Sequence, residues 1–235
     1  MENYQTELSA QRTMDRSVAA TFMRNVYYWM AGALTITGLT AMLVANNPTW
    51  MQIIFGNAAL IWGLFIGELV LVMILSAAIN RMSFSTATIL FILYSIINGV
   101  TLSSIFVVYT AGSLASTFFI TAGMFGALAV YGTVTKKDLS GIGRFMFMTL
   151  IGLIIASIVN IFMHSETLYW ITTFVGVVVF AGLTAWDAQK IQQLALSVDG
   201  ESETSQKMAL LGSLTLYLDF INLFLYLLRL FGKRN

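Results

Sequence analysis

The chain has 235 residues, 58% of them hydrophobic and only 10% charged, with a net charge of +1 and no cysteine. Soluble globular proteins carry about 25% charged residues, so the composition excludes a soluble enzyme. The near-neutral balance, with no basic patch, gives no basis for nucleic-acid binding. The missing cysteines remove disulfides, thiol chemistry and thiolate metal sites.

The first 25 residues are polar and mixed in charge, and lack the apolar core and small-residue cleavage site of a removable signal peptide. We expect residues 1–25 to form a polar tail, 26–231 a seven-span transmembrane domain and 232–235 a short basic tail, with no separate soluble domain. No Asp, Glu, Lys or Arg occurs in 25–67, 82–135, 145–165 or 167–186. Apolar windows of this length predict membrane-spanning helices of about 20 residues each. The predicted spans are 26–46, 57–79, 84–109, 115–134, 145–163, 168–191 and 208–231. "NNPT", with the only proline, closes the first and "NRMS" closes the second. "TAGSLAS" at 110–116 splits a window too long for one crossing, and "KKDLSGIGR", "HSE" and "SVDGESETSQK" are polar turns. The class predicted is an all-α membrane protein.

Positive charge sets the expected orientation. Seven crossings put Arg12, Arg16, Arg24, Arg81, Lys136, Lys137, Arg144, Lys190 and Lys207 on one side, and Arg229, Lys233 and Arg234 on the other. The N-terminus is therefore expected in the cytoplasm and the C-terminus outside. A last segment that re-enters without crossing would put both ends inside.

Three carboxylates fall within spans: Glu68, Asp187 and Asp219. An ionised side chain at mid-bilayer costs roughly 2.5–3.5 kcal/mol on insertion scales, so each should face the bundle interior or a wet cavity. In "TLYLDFINLF", Thr215, Asp219 and Asn222 share one face with Gly212 and Tyr226. A polar seam between helices would account for Thr215 and Asn222, whereas a carboxylate needs a proton, a cation or several donors. Asp187, in "WDAQKI", shares a face with Thr184 and Lys190. It reads either as an interfacial residue paired with Lys190 or as a partner for Asp219. Two carboxylates in contact cannot both ionise cheaply, so such a pair shares a proton and forms a pH-dependent latch. It is also a weak oxygen site for calcium, which wants six to eight oxygens; water and carbonyls would complete the shell. Glu68 stands alone on its face. Ser95, Asn98 and Thr101 line one face of the third span, as helix–helix glue or as a pathway. Glu68, Asn98 and Asn222 are ion-path candidates. Arg81 reads as a positive-inside anchor or as a counter-ion for the acidic pair.

"WDAQKI" at 186–191, "LYLDFINLFLYLLRLFG" at 216–232 and "NGVTLSSIF" at 98–106 resemble the transmembrane Bax-inhibitor-motif family, also called the Bax inhibitor-1 family, in its bacterial form. The resemblance implies a seven-helix bundle with a central helix surrounded by the others, and a pH-sensitive calcium leak across a bacterial inner membrane. It implies that Asp187 and Asp219 act as the pH sensor and that Arg81 is the cation that latches them. Trp186 stands where a tyrosine is common in the family. The expected partners are the bilayer, calcium as the transported ion and protons, with no tightly bound cofactor and no nucleic acid. The competing readings are a proton-coupled transporter of another solute and a membrane scaffold or regulator. The expectation that the chain is not an enzyme rests on missing motifs: the sole histidine, His164, lies in a turn, and no phosphate loop, serine-nucleophile motif or "G-x-G-D" aspartyl-protease context occurs.

Overall fold

The computed structural model describes residues 2–198 and 202–235, with side chains from residue 17 onward. Arg12 and Arg16, and the centre of the 197–207 turn, lie outside the described side chains. Among the described residues the chain is helical: α1 (Glu2–Ala45), α2 (Pro48–Phe55), α3 (Ala58–Ala78) with a 3-10 turn over Ile79–Arg81, α4 (Phe84–Leu102), α5 (Ile105–Val108), α6 (Ala111–Val134), α7 (Ser140–Met163), α8 (Glu166–Ala195) and α9 (Glu203–Phe231). Seven helices are long and apolar enough to cross a membrane, at Ser17–Ala45, Ala58–Arg81, Phe84–Val108, Ala111–Val134, Ser140–Met163, Glu166–Ala195 and Glu203–Phe231. The protein is an all-α membrane bundle with seven candidate spans, as its charge-free windows predict.

The breaks are made by capping residues. Asn47 Oδ1 accepts from the amides of Thr49 and Trp50 at 3.0 and 3.3 Å, with Pro48 at the first helical position. This starts α2, an eight-residue helix that hydrophobic periodicity does not single out. Asn57 caps α3 and Ser83 caps α4 in the same way. Thr110 caps α6, its Oγ1 accepting from the Ser113 amide. His164 ends α7 in the left-handed conformation, φ 50°, and its amide donates to the Asn160 carbonyl at 2.9 Å. In the turn before α7, hydrogen bonds from Ser140 hold the exposed Asp138 carboxyl below its ordinary range.

The chain divides into two packed units. One comprises the residues up to Ile105 together with Ile191–Leu214; the other comprises Phe106–Lys190 with Thr215–Asn235. Both α8 and α9 thus contribute to each. In the first unit α1 and α3 pack on α4. Gly99 makes the α1 approach possible, since a Cβ there would lie 2.6 Å from the Thr37 carbonyl oxygen. The Thr37 hydroxyl donates to the Ser95 carbonyl at 2.9 Å across the same contact. In the second unit, Phe220 of α9 meets Phe118 and Phe125 of α6 edge-on at 5.5 and 5.4 Å. The α7 face carrying Ile151, Ile154, Ile155, Ile158 and Phe162 is exposed, as a lipid-facing helix requires. The last span is the most buried of the seven; its polar residues lie within a well-packed helix.

Candidate functional site

Asp187 of α8 and Asp219 of α9 are both buried in the second unit, at 8% and 5% exposure, and their carboxyl groups are within hydrogen-bonding reach of each other. Asp219 Oδ2 is buried without a hydrogen-bond partner. A carboxylate oxygen left dry and undonated is costly.

A cation lies beside Asp187. Lys190 Nζ lies 3.1 Å from Asp187 Oδ1, one turn along α8, and 4.3 Å from the centroid of the Trp186 ring. The lysine is half-exposed while Asp187 is not, so one charge of this pair is wet and the other dry. Asp187 thus lies beside both Lys190 and Asp219. Arg81 is exposed at the end of the 3-10 turn in the first unit, with no ion pair among the described residues.

The residues that set Asp187 in place are its neighbours in "WDAQKI". Trp186 packs flat over Gly143 of α7, in space that any side chain there would fill. Gln189, buried at 7% exposure, clamps the turn between α6 and α7: its Oε1 accepts from the Leu139 amide and its Nε2 donates to the Lys137 carbonyl, both at 2.8 Å. Sequence reasoning missed Gln189. The available signal was an amide two residues past an aspartate, at the end of a charge-free span. Ile191 packs against Gly212. Thr184, expected on the Asp187 face, donates its hydroxyl to the Phe180 carbonyl of its own helix.

A family model described as inhibitor of apoptosis-promoting Bax1 matches residues 19–235. The chain belongs to this Bax1 inhibitor family. It is 50% identical to the inner membrane protein YbhL of Escherichia coli K12, over 94% of each chain. It is 45% identical to a protein of Borreliella burgdorferi, over 91% of this chain and 92% of the relative, and 41% identical to a protein of Rickettsia prowazekii, over 98% and 96%.

The remaining candidate residues of this Bax1 inhibitor family member have local partners. Glu68 of α3, half-buried in the first unit, is held by α4: the Thr101 hydroxyl donates to Oε1 at 2.6 Å and the Asn98 amide to Oε2 at 3.3 Å. Glu68 therefore has partners from the face expected of the third span, and Asn98 and Thr101 serve as an α3–α4 seam. Ser95 turns back on its own helix, donating to Phe91 O at 2.8 Å. On α9, Asn222 Nδ2 donates to Leu218 O at 2.8 Å, and Tyr226 stacks on Phe180 of α8, centroids 5.7 Å apart. Among the described residues no group of three or more His, Cys, Asp or Glu side chains converges as a metal cage.

Proposed function

We propose that the protein is a pH-sensitive calcium leak channel of a bacterial inner membrane, gated by protonation of Asp187 and Asp219. The observation that carries this reading is the buried carboxyl pair with the undonated Asp219 Oδ2 beside it. The inner membrane is suggested by the name of the Escherichia coli relative, and the calcium leak by the resemblance of the span-six and span-seven motifs to the family.

The gate works as follows. With one proton shared, Asp219 donates to an ionised Asp187, and Lys190 balances the charge. The bond ties α8 to α9 in the second unit. A second proton neutralises Asp187 and removes both the charge-assisted hydrogen bond and the attraction to Lys190, interactions roughly twice as strong as their neutral counterparts. The α8–α9 tie weakens and the leak rises with acidity. Calcium passes as a partly hydrated ion, because two carboxylates cannot supply its oxygen shell. Arg81 is proposed as the further cation that steadies the closed state. Glu68, Asn98 and Asn222 are proposed as polar groups along the path.

Liposomes loaded with a calcium dye test the scheme. Asp187→Asn removes the anion that Lys190 and Asp219 hold, so the vesicles should leak at every pH. Asp219→Asn places a permanent N–H donor against Asp187, so they should stay tight at neutral and alkaline pH. Wild-type pH profiles in both variants would refute the gate. Solute-driven proton movement without calcium flux would favour a proton-coupled transporter instead.

A further inference from the structure

At the end of the second unit away from Lys190, the start of α8, the end of α9 and the chain's last residues line an open-sided cavity of about 440 Å³, the scale of a small-molecule site, with Glu166, Arg229 and Arg234 all exposed. Its charged lining is Arg229, Arg234 and Glu166, and its aromatic lining Tyr169 and Trp170. The tail bridges back to Tyr109 at Arg234, whose exposed side chain lies near those of Tyr109 and Tyr169. Arg229 lies over the Tyr226 ring at 5.2 Å. Among the described residues neither arginine is in an ion pair with Glu166 or with any other carboxylate, so the cavity sets two positive charges and one negative charge around an unfilled space. From its mouth an exposed apolar stripe runs down α8 through Trp170, Phe174 and Val178, at 39%, 55% and 59% exposure and one turn apart.

We infer that this cavity binds the headgroup of a phospholipid carrying a phosphate beside a primary ammonium, a phosphoethanolamine lipid, with its acyl chains along the Trp170–Phe174–Val178 stripe. The guanidinium pair takes the phosphate by charge-assisted hydrogen bonds. Glu166 takes the ammonium, whose three N–H groups a quaternary choline lacks. A phosphoglycerol headgroup offers Glu166 only neutral hydroxyl donors, about half as strong as a charge-assisted one. The continuity of charged cavity and apolar stripe favours a lipid over a soluble phosphomonoester, and Trp and Tyr at the mouth match the interfacial belt of membrane proteins.

The full chain, purified from an equimolar mixture of phosphatidylethanolamine, phosphatidylglycerol and phosphatidylcholine, tests this by native mass spectrometry of the retained lipid. The wild type should retain the ethanolamine lipid over either competitor by roughly tenfold, the scale of one charge-assisted hydrogen bond. Glu166→Gln should abolish the discrimination while lipid is still retained. Arg229→Gln with Arg234→Gln should reduce all retention, and Lys233→Gln, outside the cavity lining, should change nothing. Glu166 is exposed at the first turn of its helix, so its variant reports even if the double arginine variant does not fold. Preference for phosphatidylglycerol, equal retention of all three lipids in the wild type, or displacement of the lipid by equimolar soluble phosphoethanolamine would each overturn the inference.

Discussion

Lys190 reaches one turn back along α8 to place its ammonium 3.1 Å from the Asp187 carboxylate. This joins a half-exposed charge to a buried one. Under the proposed gate, a nearby cation favours the ionised carboxylate and opposes the opening proton. Lys190→Gln should therefore shift the rise in calcium leak towards higher pH, and Lys190→Arg should leave it near the wild-type position. Because the ammonium is half in water, raising the salt concentration should narrow the difference between wild type and Lys190→Gln. Dye-loaded liposomes read at several pH values check this; coincident profiles for Lys190→Gln and wild type would remove the lysine from the gate.

Gln189 satisfies two backbone groups of the turn between α6 and α7. Gln189→Leu should leave the Leu139 amide and the Lys137 carbonyl without partners. Each group left buried and unmatched costs about 1–3 kcal/mol, so a clear fall in melting temperature in detergent is expected. Gln189→Glu keeps the acceptor for Leu139 and loses the donor to Lys137, and should lie between Gln189→Leu and wild type.

Gly143 makes room for the Trp186 ring, whereas Gly152 of the same helix has open space where a Cβ would point. Gly143→Ala should destabilise by about 1–3 kcal/mol through overpacking. Gly152→Ala should be neutral or stabilise by up to about 1 kcal/mol, because alanine suits a helix interior better than glycine. Paired thermal melts of the two variants give the comparison. Equal melting temperatures would show that Trp186 is free to move aside.

Glu68 and the Asp187–Asp219 pair should separate functionally. Glu68→Gln retains one acceptor for Thr101 or Asn98 and removes the negative charge. If Glu68 lies on the ion path, the variant should lower the amplitude of the calcium leak and leave its pH dependence in place. A shifted pH dependence with unchanged amplitude would assign Glu68 to the gate.

Much of this architecture is legible in the chain because hydrocarbon is a strict solvent. Lengths of sequence without Lys, Arg, Asp or Glu have few alternatives to a spanning helix, and Asn57, Ser83 and Thr110 mark where such helices start. Periodicity also set Asp219 apart from its apolar neighbours. It is less informative on α7, where nearly every position is apolar and no face stands out. The features it missed are made by backbone groups. Gln189 acts through the Lys137 carbonyl and the Leu139 amide, which no residue pattern announces. α2 is too short to show a period. The polar stretch read as a tail is continuous with α1, which runs from Glu2 to Ala45; charged residues are as compatible with a helix outside the bilayer as with a coil.

The last residues of the chain are tied to a segment made much earlier. The Thr110 amide donates to Lys233 O at 3.1 Å, the Lys233 amide to Ser113 Oγ at 2.9 Å and the Asn235 amide to Val108 O at 3.0 Å. On the ribosome, the Thr110 amide and the Val108 carbonyl must wait through the synthesis of four further long helices before these partners exist. That corner therefore closes last, and a polypeptide halted before residue 233 would reach the membrane with its α5–α6 linker still unlatched.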